Sequence, residues 1–239
     1  MEWSIGLTGH QFDLEELPKW LDGGDFQVIE EDGEFLIRSS RFDALSDAEE
    51  VRRAAEEVVE LLNGLGRLLW PEFTPVAVGA VYTTAEDGRK NVHVFMSDTV
   101  AFRGKLKVTV IKRDGSLEQP QDLGRLNSWL DVAETDEFVQ RALAYLNRER
   151  ITWNDLYRAL EVVESDVGGR VSKAGWASKA ELERFNRTAN SYSVLGRAAR
   201  HGRDRGEPPP NPMKFEEAGH LVRRVVHLWI QEKVDDQHS

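Results

Sequence analysis

Residues 26–38 read FQVIEEDGEFLIR, and residues 46–69 read SDAEEVRRAAEEVVELLNGLGRLL. The first segment has two short β-prone runs on either side of Asp32-Gly33, a pair that favours the positive φ angles of a tight hairpin turn. The second has apolar residues at helical spacing and is followed by Pro71, which cannot continue a helix. A hairpin next to one long amphipathic helix predicts an α+β layer, with the helix covering one face of an antiparallel sheet.

Two further turn signals extend this sheet along the chain. Strand-like runs at 75–84 and 91–97 surround Asp87-Gly88, and the alternating run 105–112 is followed by Asp114-Gly115. The long helix is predicted to begin at Ser46, because Ser46 and Glu49 have the spacing of a capping box.

After Gln119-Pro120 the apolar period becomes helical. The capping and stop signals predict several packed helices, at 136–148, from Thr152 to Gly168-Gly169, from Ser178 with Glu181 onward, at 193–202 and at 215–233. The predicted fold is therefore an α+β N-terminal domain, residues 1–120, followed by a helical bundle domain, residues 130–239. We expect the two to share a large interface, since the linker near Pro120 is short.

Charge is unevenly distributed. The chain has a formal net charge of −11, with −12 carried by residues 1–60 and +6 by residues 168–205. The acidic half argues against wrapping a nucleic-acid duplex, because phosphates would be repelled. The basic segment could bind an anion, or the two segments could attract each other across an internal interface.

Several classes of protein and site are disfavoured. No apolar run approaches a membrane span, the acidic N-terminus does not resemble a secretory signal, and cysteine is absent. None of the six histidines forms an H-x-x-x-H pair, and the last helix is predicted to keep Glu216, His220, Arg223 and His227 on a solvated face. We therefore expect a cytoplasmic protein without a metal or a cofactor.

The strongest local anomaly is residues 197–205, RAARHGRDR, which the proline-rich EPPPNPM follows. In the predicted helix 193–202, Arg197 and His201 would be neighbours four residues apart. One interpretation is structural, because cations near a helix C-terminus are favoured by the helix dipole. The other is a phosphate or carboxylate site, because arginine binds such groups bidentately and histidine can transfer a proton near neutral pH. The candidate binding residues are Arg197, Arg200, His201, Arg203, Arg205 and Asn190.

Asn190 ends the segment 185–190, FNRTAN, which is rich in hydrogen-bonding side chains and precedes the basic segment. It could line the same pocket. Alternatively, these residues form a helix end and a turn, where asparagine and serine commonly bond the local backbone.

A helical bundle with arginine and histidine near the end of one helix resembles the HEPN family of bacterial defence and toxin proteins, many of which are metal-independent RNases. The corresponding residues here are Arg197-Ala-Ala-Arg-His201. The resemblance implies His201 as the acid-base group, Arg197 or Arg200 as the group that stabilises phosphorane charge, and a homodimer. The chain also resembles uncharacterised bacterial proteins with the pattern FxxTAN…ARH…PPxNPM…EA, which here runs from Phe185 to Ala218.

Three functions follow as hypotheses. The first is a cytoplasmic bacterial binding or regulatory module, which recognises another protein or an anionic ligand, RNA included, through the basic helix end. The second is a metal-independent RNase using His201 and Arg197. The third is a structural subunit of a larger assembly, with the acidic N-terminal half as its contact face.

Overall fold

The computed structural model of the chain describes residues 2–85, 89–93, 95, 126–204 and 206–237. Within these residues the strands form one sheet, which is antiparallel throughout and has the strand order β2-β3-β1-β4-β5. The strands are β1 (Glu2–Thr8), β2 (Gln27–Glu31), β3 (Glu34–Arg38), β4 (Ala77–Thr84) and β5 (Lys90–His93). With helices following the sheet along the chain, the predicted α+β class is confirmed.

The hairpin that decides the fold forms where the sequence predicts it. Asp32 and Gly33 have φ angles of 53° and 80° and connect β2 to β3, as a two-residue turn with both central residues at positive φ requires. The second predicted hairpin is present as the β4–β5 pair, although its turn residues Asp87-Gly88 lie outside the described residues. So do the predicted strand 105–112 and its turn Asp114-Gly115.

The helices account for most of the remaining described chain. They are α1 (Gln11–Trp20), α2 (Ser40–Asp43), α3 (Ala48–Leu69), α4 (Leu126–Thr135), α5 (Glu137–Leu146), α6 (Trp153–Asp166), α7 (Lys179–Ala189), α8 (Tyr192–Leu195) and α9 (Phe215–Gln237). The long helix α3 packs on β4 and β1, as expected.

Local capping signals were accurate in two helices and wrong in one. Thr152 with Asp155, and Ser178 with Glu181, form complete capping boxes at α6 and α7. The predicted Ser46 cap of α3 is wrong, because the cap is one residue later. There the Asp47 carboxylate accepts hydrogen bonds from the backbone N–H groups of the first turn, where a negative charge also suits the helix dipole.

The last helix differs in part from its predicted orientation. Glu216 and His220 are exposed, as expected, and Phe215, the first residue of α9, is also 41% exposed. His227 and Arg223 were expected on a solvated face, but both are partly buried. The His227 ring lies 4.9 Å from the ring of Trp129, because α4 packs against α9 and covers that face.

One apolar core runs through the described residues, from the sheet across α3 to the helices α4, α5, α6 and α9. The division into domains at residues 1–120 and 130–239 remains a prediction. Within the described ranges, no helix has the length and apolar character needed to span a membrane.

Candidate functional site

The segment that connects α7 to α9 is held against α7 by buried hydrogen bonds. Thr188 is fully buried; its hydroxyl donates to the Arg184 carbonyl at 2.7 Å and accepts the Met213 N–H at 3.0 Å. The hydroxyl thereby satisfies a backbone donor that would otherwise be buried without a partner.

Arg184 fixes the same proline-rich connector from the other side. Its guanidinium donates to the carbonyls of Asn211 and Pro212 and to the carboxylate of Glu217. A backbone hydrogen bond from Lys214 and the Arg184 contact lower the pKa of Glu217. The PPxNPM…EA part of the sequence pattern therefore has a structural role: it locks the start of α9 onto α7.

The basic segment is not the predicted helix. Regular α-helix ends at Leu195, a 3-10 turn follows at Gly196–Ala198, and Ala199 is extended. The helix stops because Gly196 adopts a φ of +56°, which is incompatible with a right-handed helix. The prediction that Arg197 and His201 are neighbours on one α-helix is therefore wrong.

Asp204 holds this loop in shape. One carboxylate oxygen accepts hydrogen bonds from the backbone N–H of Ser193 at 3.0 Å and from the hydroxyl of Ser191 at 2.9 Å. The Ser193 backbone hydrogen bond is the main cause that lowers the pKa of Asp204. The loop 196–207 is thus closed onto α8.

We expect Asp204→Ala to open this loop and to increase the rate of tryptic cleavage after Arg197 several-fold, because local opening exposes the backbone to the protease. The rate would be followed by mass spectrometry on the native protein. Glu207→Ala in the same loop is the control, since Glu207 is held through its backbone carbonyl, which accepts a hydrogen bond from Arg187. Equal cleavage rates in wild type and D204A would show that the carboxylate does not hold the loop.

A pocket of about 240 Å³ lies between α7 and this loop. Its walls carry two guanidinium groups, one imidazole, two amides, a hydroxyl and a carboxylate: Asn186, Arg187, Asn190, Ser191, Arg200, His201, Gly206 and Glu207. Three of the predicted site residues, Asn190, Arg200 and His201, are therefore brought together. Arg197 and Arg203 are outside the lining, and Arg205 lies outside the described residues.

Arg200 is held in place by three contacts. Its backbone N–H donates to the Ala189 carbonyl at 2.9 Å, and its guanidinium lies 4.0 Å from the centre of the Tyr157 ring. One guanidinium nitrogen is 3.3 Å from a carboxylate oxygen of Glu161. Since the Glu161 side chain is 50% exposed, this ion pair contributes little to stability, ~0–1 kcal/mol.

Arg187 reaches the opposite wall of the pocket. It donates to the backbone carbonyls of Glu207 and Pro208 at 3.1 and 3.3 Å, and its nearest carboxylate, on Glu183, is 3.7 Å away. Most of its hydrogen bonding therefore goes to neutral oxygens, so its positive charge is only partly compensated.

Arg197 and Arg203 are the exposed cations of the segment. Among the residues that the structure describes, neither has an ion pair or a hydrogen bond from its side chain, and the side chains of both are exposed. The predicted cluster thus contains one arginine with defined contacts, Arg200. The other two, Arg197 and Arg203, have side chains without a partner among the described residues.

Asn190 has an unused acceptor beside the pocket. Its amide nitrogen donates to the Asn186 carbonyl at 2.8 Å, whereas its side-chain oxygen is buried without a hydrogen-bond partner. Asn190 therefore ends α7 and bonds the local backbone, as the alternative interpretation predicted, and it also lines the pocket.

The two oppositely charged segments do not neutralise each other in the described part of the chain. The ion pairs of residues 168–205 go to Glu161, Glu181, Glu183 and Glu217, all in the helical half. The ion pairs between the two halves use Arg41, with Asp131 and Glu134. The acidic N-terminal half is therefore not explained by attraction to the basic segment.

Asn186 and Arg187 belong to the segment 185–190, for which the sequence left open a place in this pocket, and both line it. Sequence reasoning missed Tyr157 and Glu161, which contact Arg200. They come from α6, about 40 residues away along the chain, and only the tertiary structure brings them to Arg200.

A second groove of about 280 Å³ lies along α5 and α6. Arg141 and Arg158 lie over the rings of Phe138 and Tyr145 in this groove. It shares Glu161 with the surroundings of Arg200. In the described residues, no group of histidine, aspartate or glutamate side chains is arranged to hold a metal ion.

Comparison of the chain with protein-family models, with curated proteins and with solved structures found no match.

Proposed function

We propose that the protein is a cytoplasmic bacterial binding or regulatory module that recognises an anionic ligand, or an anionic patch of a partner protein, at the pocket between α7 and the loop 196–207. The proposal is carried by two exposed arginines of the same loop, Arg197 and Arg203, which have no carboxylate partner among the described residues. The pocket beside them is lined by Arg200 and His201.

Arg200 would make the directional contact. Stacking on Tyr157 limits the orientations of its guanidinium, so less rotamer entropy is lost when a ligand binds. An incoming phosphate or carboxylate could replace the weak, half-exposed Glu161 and form a bidentate, charge-assisted pair. Arg197 and Arg203 would add attraction that salt screens.

Charge reversal at Arg197 and Arg203 tests the proposal. We expect Arg197→Glu with Arg203→Glu to weaken binding of inorganic triphosphate about tenfold or more at low salt, as measured by isothermal titration calorimetry, which corresponds to ~1.4 kcal/mol. Arg53→Glu with Arg150→Glu is the matched control, because it changes the net charge equally at two other exposed arginines. Equal weakening by the two double variants, or no binding to wild type, would contradict the proposal.

The RNase hypothesis keeps one supporting observation, the shared pocket of His201 and Arg200. If His201 acts as the acid or base, His201→Ala should abolish cleavage of a single-stranded RNA in EDTA, while Asn190→Ala retains part of it. Equal rates for wild type and His201→Ala would remove this function and leave the binding proposal intact.

The structural-subunit hypothesis is supported by the acidic N-terminal half, which the basic segment does not neutralise. Light scattering of the isolated protein tests both this hypothesis and the proposed homodimer. A stable, folded monomer at micromolar concentration would argue against both.

A further inference from the structure

The groove of about 280 Å³ along α5 and α6 has two cation–π pairs on its walls. The Arg141 guanidinium lies 4.7 Å from the centre of the Phe138 ring, and the Arg158 guanidinium lies 5.9 Å from the centre of the Tyr145 ring. Both rings are partly buried and pack against the apolar core. Each of the two arginines therefore lies over an aromatic ring that the core holds in place.

Arg158 is the cation of this groove that lacks an acidic partner. It is exposed, and among the described residues its side chain forms neither an ion pair nor a hydrogen bond. The other arginines beside these two rings differ. Arg141 is 3.8 Å from a carboxylate oxygen of Glu137, and Arg148 is 2.8 Å from a carboxylate oxygen of Asp155. The Arg158 guanidinium is therefore available to an anion from outside the molecule.

The one carboxylate on the described wall of the groove already has a partner. Glu161 follows Arg158 by three residues on α6, but its carboxylate lies 3.3 Å from the guanidinium of Arg200, next to the other pocket. The groove thus has two guanidinium groups, of Arg141 and Arg158, against one carboxylate that is shared with a third arginine. Its charge favours an anionic ligand.

The remaining surface of the groove suits a flat apolar group. Val162 lies beside the two rings and is partly buried against the core. The Ser165 hydroxyl is engaged, since it donates to the Glu161 carbonyl at 2.8 Å. A guanidinium group is planar and weakly hydrated, and it packs well against aromatic rings. A ring from a ligand can therefore pack against Arg158 while the apolar side chains cover its edge.

We propose that this groove is a second binding site, for a small planar aromatic anion: an aromatic carboxylate or an aryl phosphate monoester. The anionic group pairs with Arg158, and the aromatic ring lies against the guanidinium groups and the apolar surface of Phe138, Tyr145 and Val162. The site does not depend on the function proposed for the pocket by the loop 196–207, because the two have no lining residue in common.

Titration of ¹⁵N-labelled wild-type protein with 2-naphthoate at constant ionic strength, followed by amide chemical shifts, tests this site. We expect saturable shifts concentrated in residues 138–145 and 158–165. Binding should be about tenfold weaker in Arg158→Gln, which removes the charge-assisted pair. It should be unchanged in Arg150→Gln, at an exposed arginine outside the groove. The Arg197→Glu, Arg203→Glu variant should also bind normally, so the two sites are tested separately.

Analogues separate the contributions of the ring and of the charge. Decahydro-2-naphthoate lacks the flat ring and 2-naphthylmethanol lacks the charge, so each should bind about tenfold more weakly than 2-naphthoate. The compound 2-naphthyl phosphate distinguishes the sources: tighter binding than that of 2-naphthoate indicates an aryl phosphate, and equal or weaker binding indicates a carboxylate. No saturable shifts in the groove with either aromatic anion, equal binding of either analogue, or unchanged binding to Arg158→Gln would overturn the proposal.

Discussion

Asn63→Leu is expected to lower the free energy of unfolding by about 3 kcal/mol. Asn63 is buried in α3, where its amide nitrogen donates to the Val76 carbonyl at 2.8 Å and its oxygen accepts the Val76 N–H at 2.9 Å. Leucine of similar volume leaves both backbone groups buried and unpaired, and each costs ~1–3 kcal/mol. The loss is large because one side chain fixes the start of β4 to the helix that covers the sheet.

Urea denaturation followed by circular dichroism measures this effect, with Asn91→Leu as the control. Asn91 is exposed on β5, so the control should stay within about 0.5 kcal/mol of wild type. A loss below 1 kcal/mol for Asn63→Leu would mean that Val76 finds other partners.

Thr188→Val is expected to lower the free energy of unfolding by about 2 kcal/mol, because the buried Met213 N–H loses the hydroxyl that accepts its hydrogen bond while the side-chain shape is kept. The consequence reaches the ligand pocket. Thr188 anchors the connector that follows the loop 196–207, so the variant should also weaken triphosphate binding, although Thr188 does not line the pocket.

Thr188→Ser is the matched control, since it retains the hydroxyl and should recover most of the lost hydrogen-bond energy at the cost of one methyl group. Both variants would be compared by urea denaturation and by calorimetric titration under folding conditions. Equal losses in the valine and serine variants would assign the effect to packing rather than to the Met213 hydrogen bond.

Local signals carried much of the fold. Asp32-Gly33 predicted its hairpin because positive φ is a property of the residues themselves, and the capping boxes at Thr152 and Ser178 depend only on a spacing of three residues. The same kind of signal was ambiguous at α3, where both Ser46 with Glu49 and Asp47 with Glu50 fit the pattern.

Long-range features could not be predicted in the same way. The central strand β1 was missed even though Trp3, Ile5 and Leu7 alternate with Ser4 and Gly6, a strand signal. Its place between β3 and β4 depends on pairing with distant segments of the chain. The candidate site was only partly predicted. Composition pointed to the basic segment, and Gly196 was a local stop signal that was overlooked. The contacts of Arg200 with α6 depend on tertiary structure.

Amide chemical-shift mapping with inorganic triphosphate tests the central claim most directly. For ¹⁵N-labelled protein, the account predicts saturable shifts concentrated in residues 186–204 and reduced in the Arg197→Glu, Arg203→Glu variant. Shifts absent from that segment, or spread evenly over the molecule, would contradict an anion site beside Arg200.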